Sequence, residues 1–178
     1  MKKIWFIVLA AVLAVNYCKK SVAGHTQQWQ NALKDLDEAT TQYPALKKIL
    51  NARANEAKAI YAEAEKISDE KQKAEKIAAA IASLNQDLGV VVEIKTKLAG
   101  IDSTIGRITK TKTTTDRANR ATAEIKAIRS EQAAIEADFS ALKPANSEEL
   151  NKQARDIVGR IISLSGRADR ALKLVKGK

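Results

Sequence analysis

The chain has one cysteine and one histidine. A lone cysteine, Cys18, cannot form a disulfide framework. A lone histidine, His25, excludes histidine-based zinc sites and leaves Cys18 without the partner base that a catalytic thiol needs. Two prolines and seven glycines leave few places to break a helix, and aromatics make up only 4% of the residues, so the core has to be thin. No GxSxG, Walker A, GxGxxG or HExxH occurs. The many carboxylates fall among lysines on polar helix faces, where a general acid/base pair has no enclosing pocket. The expectation is therefore no catalytic residue, no metal ligand and no cofactor. Base-stacking aromatics are missing from the basic C-terminal part, which argues against nucleic acid as a partner.

What remains is helix material. Charged residues make up 29% of the chain and alanine dominates the apolar class. Ala, Leu, Lys, Glu, Gln and Arg lose little side-chain entropy in a helix. Ile, Leu and Val recur in register along nearly the whole chain, which low-hydrophobicity disorder lacks. The net charge of +10 is uneven. Residues 24–88 hold nine basic and ten acidic side chains, 89–142 nine and seven, and 143–178 nine and four. Two uses of the C-terminal surplus follow. One is internal, with the basic part packing on acidic helix faces near the N-terminus. The other is external, toward polyanions such as glycosaminoglycan or lipopolysaccharide.

The first seventeen residues read as a secretory signal peptide. Lys2 and Lys3 form a positive start, and Ile4 to Val15 is a 12-residue apolar run. A permanent membrane span needs about 20 apolar residues. Cys18 stands just past that run, where a bacterial lipoprotein carries its lipidated cysteine, within LAVNYC. Tyr17 departs from the small residue that a lipobox places there. The other reading is ordinary cleavage after Ala23 in SVAG, which discards Cys18 and leaves a soluble periplasmic or secreted protein. The expected organisation is a signal peptide over 1–17, a tether over 18–24 and one helical-bundle domain over 25–178.

Apolar spacing predicts an all-α fold, an elongated antiparallel bundle or coiled coil of three to five helices. Trp29, Leu33, Leu36, Thr40 and Tyr43 step by four and three until Pro44 interrupts, so a first helix should end near Gln42. The next stripe runs from Leu46 to Leu88, where Ser68-Asp69-Glu70 could cap a new helix, and Gly89 is expected to end it as a C′ residue. Val91, Ile94, Leu98, Ile101, Ile105 and Ile108 keep a strict heptad. The threonines of 109–115 weaken the helix, and Asp116 is the expected N-cap of the next. A further seam links Ala118 to Leu142 with one polar member, Gln132. Ser147 is the expected cap of a last helix whose apolar face is wide. That width suits a central position in the bundle or a partner surface. The simplest assembly is a hairpin of 44–88 against 90–142 with the first and last helices laid along it. IGRI at 105–108 and VGRI at 158–161 are each followed by Asp-Arg-Ala at a matching distance, a weak internal repeat.

Arg107, Lys110 and Arg117 share one face by spacing, and Arg160, Arg167 and Arg170 share another. Arginine forks grip phosphate and sulfate, so these six residues are the candidate polyanion site. Salt bridges to the acidic first helices are the structural alternative.

The leader with Cys18, the Lys19-Lys20 tether and the heptad body resemble the small helical-bundle lipoproteins of bacterial envelopes, spirochaete surface lipoproteins among them. The resemblance implies a palmitate-bearing anchor in the cell envelope, in an outer membrane, and a non-enzymatic role. Some such proteins bind host glycosaminoglycans or serum proteins, and others are envelope spacers. A soluble periplasmic holdase is the alternative from a different class.

Overall fold

In the computed structural model, residues 21–177 are described, and they form an all-α bundle. The expected signal peptide and Cys18 lie outside the described residues. Helix α1 spans Val22–Gln42, a 3-10 turn Pro44–Leu46 leads into α2, Lys47–Ala64, and α3 spans Glu70–Lys110. Helix α4 spans Thr115–Ser140 and α5 Ser147–Lys176. Helix α1 begins inside the stretch expected to be a tether.

The breaks fall partly where expected. Helix α1 stops at Gln42, one residue before Tyr43-Pro44, because Pro44 disfavours helix in the residue before it. Asp69 caps α3, its Oδ1 accepting from the Gln72 amide at 2.8 Å. Gly89 is a correction: it lies inside α3 and ends nothing. A glycine inside a helix costs only about 1 kcal/mol against alanine. Continuity there buries Leu88, Val91 and Ile94 on one stripe, each 1% exposed or less, which outweighs that cost. No turn falls between 88 and 90, and between Lys47 and Ser140 the chain turns instead at 65–69 and 111–114, beside the Ser68-Asp69-Glu70 cap and the threonine run that the sequence also marks.

Two caps shift by a residue or two. Asn146, not Ser147, is the N-cap of α5: its Oδ1 accepts from the Glu149 amide at 2.9 Å, and Glu149 reaches back to the Ala145 amide at 2.8 Å. Thr114, not Asp116, sits at the N-cap of α4 in extended conformation, and Asp116 falls in the first turn, where its charge still favours the helix dipole. The end of α3 is marked by hydroxyls bonding back to the chain, Thr109 to the Gly106 carbonyl and Thr111 to that of Arg107. The sequence repeat has no structural counterpart. Its first copy is divided between α3 and α4, and its second lies wholly within α5.

The chain divides into two compact units that share α3. The first comprises residues up to Gln42 and Lys47–Leu88. Its core holds Trp29, Leu36, Leu50, Ile77, Ile81 and Leu84, with Trp29 stacked on Tyr61 at 4.8 Å between ring centroids. Asp87 is buried there and accepts from Arg53 Nε at 3.3 Å, and Arg53 also binds Glu56 at 2.6 Å. Lys76 meets Glu63 across the 65–69 turn at 2.6 Å and holds that carboxyl below the usual carboxylate range.

The second unit comprises Tyr43–Leu46 and Gly89–Lys178. Its core is the heptad of α3 packed on Ile128, Ile135 and Phe139 of α4 and on Leu150, Ile161 and Leu164 of α5. Tyr43 meets Phe139 edge-on at 4.7 Å. The polar seam member Gln132 is buried but satisfied, its amide donating to Asp102 and to Glu136. Isoleucines 161 and 162 separate the two faces of α5. Ile161 is fully buried, whereas Ile162 is 57% exposed and is the exposed large hydrophobic residue among those described.

Candidate anion-binding end of the second unit

Antiparallel α4 and α5 set two heptad rows side by side. On α4 the row is Glu124, Glu131 and Asp138; on α5 it includes Arg160 and Arg167. Arg160 Nη1 meets Asp138 Oδ2 at 2.5 Å. Arg167 is shared, Nη2 meeting Glu124 and Nη1 meeting Glu131, each at 2.9 Å. The bond to Glu124, with both carboxylates beside it, raises the Arg167 guanidinium above its usual range. On the other flank of α4, Arg129 bonds Asp102 of α3.

This geometry divides the six candidate residues. Arg160 and Arg167 spend their charge on α4, so they do not form an open row with Arg170. Their acid partners also lie on α4 rather than on the first helices, where the sequence suggested internal pairing. The acidic residues of α4 sit at 124, 131 and 138, seven apart, which is the spacing that antiparallel packing brings opposite 160 and 167.

The other four candidates come together. Ile108 of α3, Ala121 and Ile125 of α4, and Ala171, Leu172 and Val175 of α5 form one apolar cluster. Around it stand Arg107 and Lys110 in the last turn of α3, Arg117 at the start of α4, and Arg170 on α5. Sequence reasoning missed four more: Lys112 in the connection, Arg120 on α4, and Lys173 and Lys176 in the last turn of α5. Their signal was available, since each is within a few residues of a chosen one, but spacing along single helices cannot show that three helix ends meet. Among the described residues none of these eight makes an ion pair.

Arg117 has a structural task as well. Gly177 ends α5 in left-handed conformation, with φ 72°, and its amide bonds the Leu174 carbonyl. A Cβ built at Gly177 would lie 2.5 Å from Arg117 Nη1. The guanidinium therefore covers the α5 C-terminus, where the helix dipole favours a cation. An open cavity of about 220 Å³ between α4 and α5 is lined by Glu124, Arg167, Arg170, Ala171 and Leu174.

Comparison with family models, with curated proteins and with solved structures finds no match to this chain.

No cluster of three His, Cys, Asp or Glu suited to a metal ion occurs among the described residues. What this end of the unit can do is electrostatic. Eight cations stand against Asp116 and Asp169, with Glu124 already engaged by Arg167. Two helix C-termini and one N-terminus meet here and together supply only about half a negative charge. That offsets little of the surplus, so the end attracts anions, and it does so less as salt rises.

Proposed function

We propose that the protein is an exported, lipid-anchored, non-enzymatic module of the bacterial cell envelope that binds polyanions through the basic end of its second unit. The observation that carries the reading is the meeting of three helix ends whose cations have no acid partners among the described residues. The leader and Cys18 support export and anchoring, and the heptad body supports a structural scaffold rather than a catalytic one. Helix α3 is long and apolar enough to cross a membrane by composition alone, but Ile77, Ile81, Leu84, Leu88, Ile94, Ile101 and Ile105 along it are buried core residues. A holdase needs exposed apolar surface for its clients. Among the described residues Ile162 is the large exposed one, so that reading lacks support.

Two measurements test the proposal. Intact mass of the protein taken from envelope membranes should show acyl chains on an N-terminal Cys18, and a mature start at Gly24 sinks the anchor. Immobilised heparin or lipopolysaccharide should retain the protein at physiological salt and release it as salt rises. Absence of retention removes the polyanion arm and leaves an envelope spacer.

A further inference from the structure

We infer that the polyanion is the phosphate plane of an anionic phospholipid bilayer, met by the basic end of the second unit as a peripheral electrostatic contact. This rests on the polyanion reading above and narrows its partner.

Three observations favour a plane of headgroups over a linear chain. The cations are grouped by place rather than by row. Arg107 and Lys110 end α3, Arg117 and Arg120 begin α4, and Lys173 and Lys176 end α5, all around one apolar cluster. A flat array of phosphates can meet such a cap from every helix at once. A linear sulfated polymer is better served by cations aligned along one groove, and the α5 row that could have supplied that alignment is neutralised at Arg160 and Arg167.

The second observation concerns helix polarity. Arg107, Lys110, Lys173 and Lys176 stand at helix C-termini, where a cation is expected whatever the function. Arg120 stands in the second turn of α4, near an N-terminus that favours anions, and has no ion pair among the described residues. Asp116 and Glu124 stand four residues to either side of it, yet it pairs with neither, so its charge stays open to an external anion.

The third is the cavity beside Arg170. Ala171 and Leu174 make an apolar wall next to the Arg170 guanidinium, and Arg167 holds Glu124. A headgroup phosphate can approach the Arg170 guanidinium along such a wall without meeting a free carboxylate, because Glu124 is engaged. No exposed large hydrophobic residue lies in this cluster, so the contact stays at the headgroups and does not insert.

The test uses the full chain carrying Cys18→Ser, which cannot be acylated. It is titrated against phosphatidylcholine vesicles with and without phosphatidylglycerol, and against heparin. Lys2, Lys3, Lys19 and Lys20 around the apolar leader also favour the anionic vesicles, so the readout is the part of the anionic-lipid gain that each set of substitutions removes from this same chain. Each cation near an anionic surface adds to binding, so Arg107→Gln, Lys110→Gln, Arg170→Gln and Lys173→Gln together should cut that gain at least about tenfold. Neutralising the exposed Lys47, Lys48, Lys58 and Lys71 of the first unit should leave most of it. Should the fourfold variant melt early, Arg120→Gln alone serves, with a few-fold loss expected. Heparin binding without a phosphatidylglycerol gain overturns this inference and leaves the polyanion reading standing. Binding to neither removes both. An equal loss in the first-unit variant overturns the assignment to this end.

Discussion

Helices α4 and α5 run together through two regions that treat the same residue type in opposite ways. In the middle, Arg160 and Arg167 face Asp138, Glu131 and Glu124 and are neutralised. Toward the ends that meet α3, Arg170 and Arg117 make no ion pair among the described residues. The α4 heptad row makes the change visible: positions 138, 131 and 124 are acidic, and the next step, 117, is arginine. An arginine's meaning thus depends on what stands opposite it across the helix pair. Spacing along its own helix is not enough.

The largest effect tests whether both regions depend on one core. Ile101 is 1% exposed in the α3 heptad. Ile101→Asp places a carboxylate there with no partner, and the expected destabilisation is on the order of 4 kcal/mol. Chemical denaturation followed by circular dichroism should show the loss, together with loss of heparin retention. A variant as stable as the wild type would mean that the heptad is not the core.

A smaller effect separates the two regions directly. Arg167→Ser removes two ion pairs from a half-buried guanidinium and leaves Glu124 and Glu131 facing each other, so stability should fall by about 1 kcal/mol. Arg170→Ser removes no ion pair and should change stability by less than about 0.5 kcal/mol, while weakening anion binding. Thermal melts and heparin elution of the two variants should therefore rank in opposite orders. Equal ranks on both measurements would erase the distinction between neutralised and open arginines.

Most of the fold was legible, because a thin core built by Ile, Leu and Val at heptad spacing prints its period in the chain. The seams of α3 and α4, the stop before Pro44 and the cap at Asp69 all follow from local chemistry. Gly89 misled because local chemistry there favours a stop, while burial of the flanking Leu88 and Val91 favours continuity. The division of the chain into two units was not legible, since one unbroken stripe serves both through α3. Of the candidate site, the charge was legible and its sorting was not. Glu124, Glu131 and Asp138 look like solvated helix faces until antiparallel packing brings α5 beside them. Arg120 and Lys112 look like scattered surface until the ends of α3, α4 and α5 meet.

The smallest effect concerns pH, and it probes the neutralised region at its far end. Tyr43 is buried against Phe139, and burial first, then the nearby Glu136 charge, raises its phenol above the usual tyrosine value. A group whose folded pKa is raised contributes stability that is fully present below its unfolded value, about 10 for tyrosine. That contribution is lost as pH rises through the higher folded value. Stability should therefore not vary with pH through Tyr43 near neutrality and should fall on an alkaline limb that begins near the unfolded value. Tyr43→Phe keeps the edge-on ring contact and has no proton to lose. It should cost less than about 1 kcal/mol at neutral pH and flatten the alkaline limb. Tyr43 packs on Phe139, at the other end of α4 from Arg117 and Arg120, so anion binding by Arg107, Arg117, Arg120 and Arg170 should outlast the early part of the limb. Thermal melts and vesicle binding followed across the same alkaline series check both halves. An alkaline limb unchanged in Tyr43→Phe would assign it to other groups, and loss of binding in step with the limb would show that the two ends of the α4–α5 pair do not act apart.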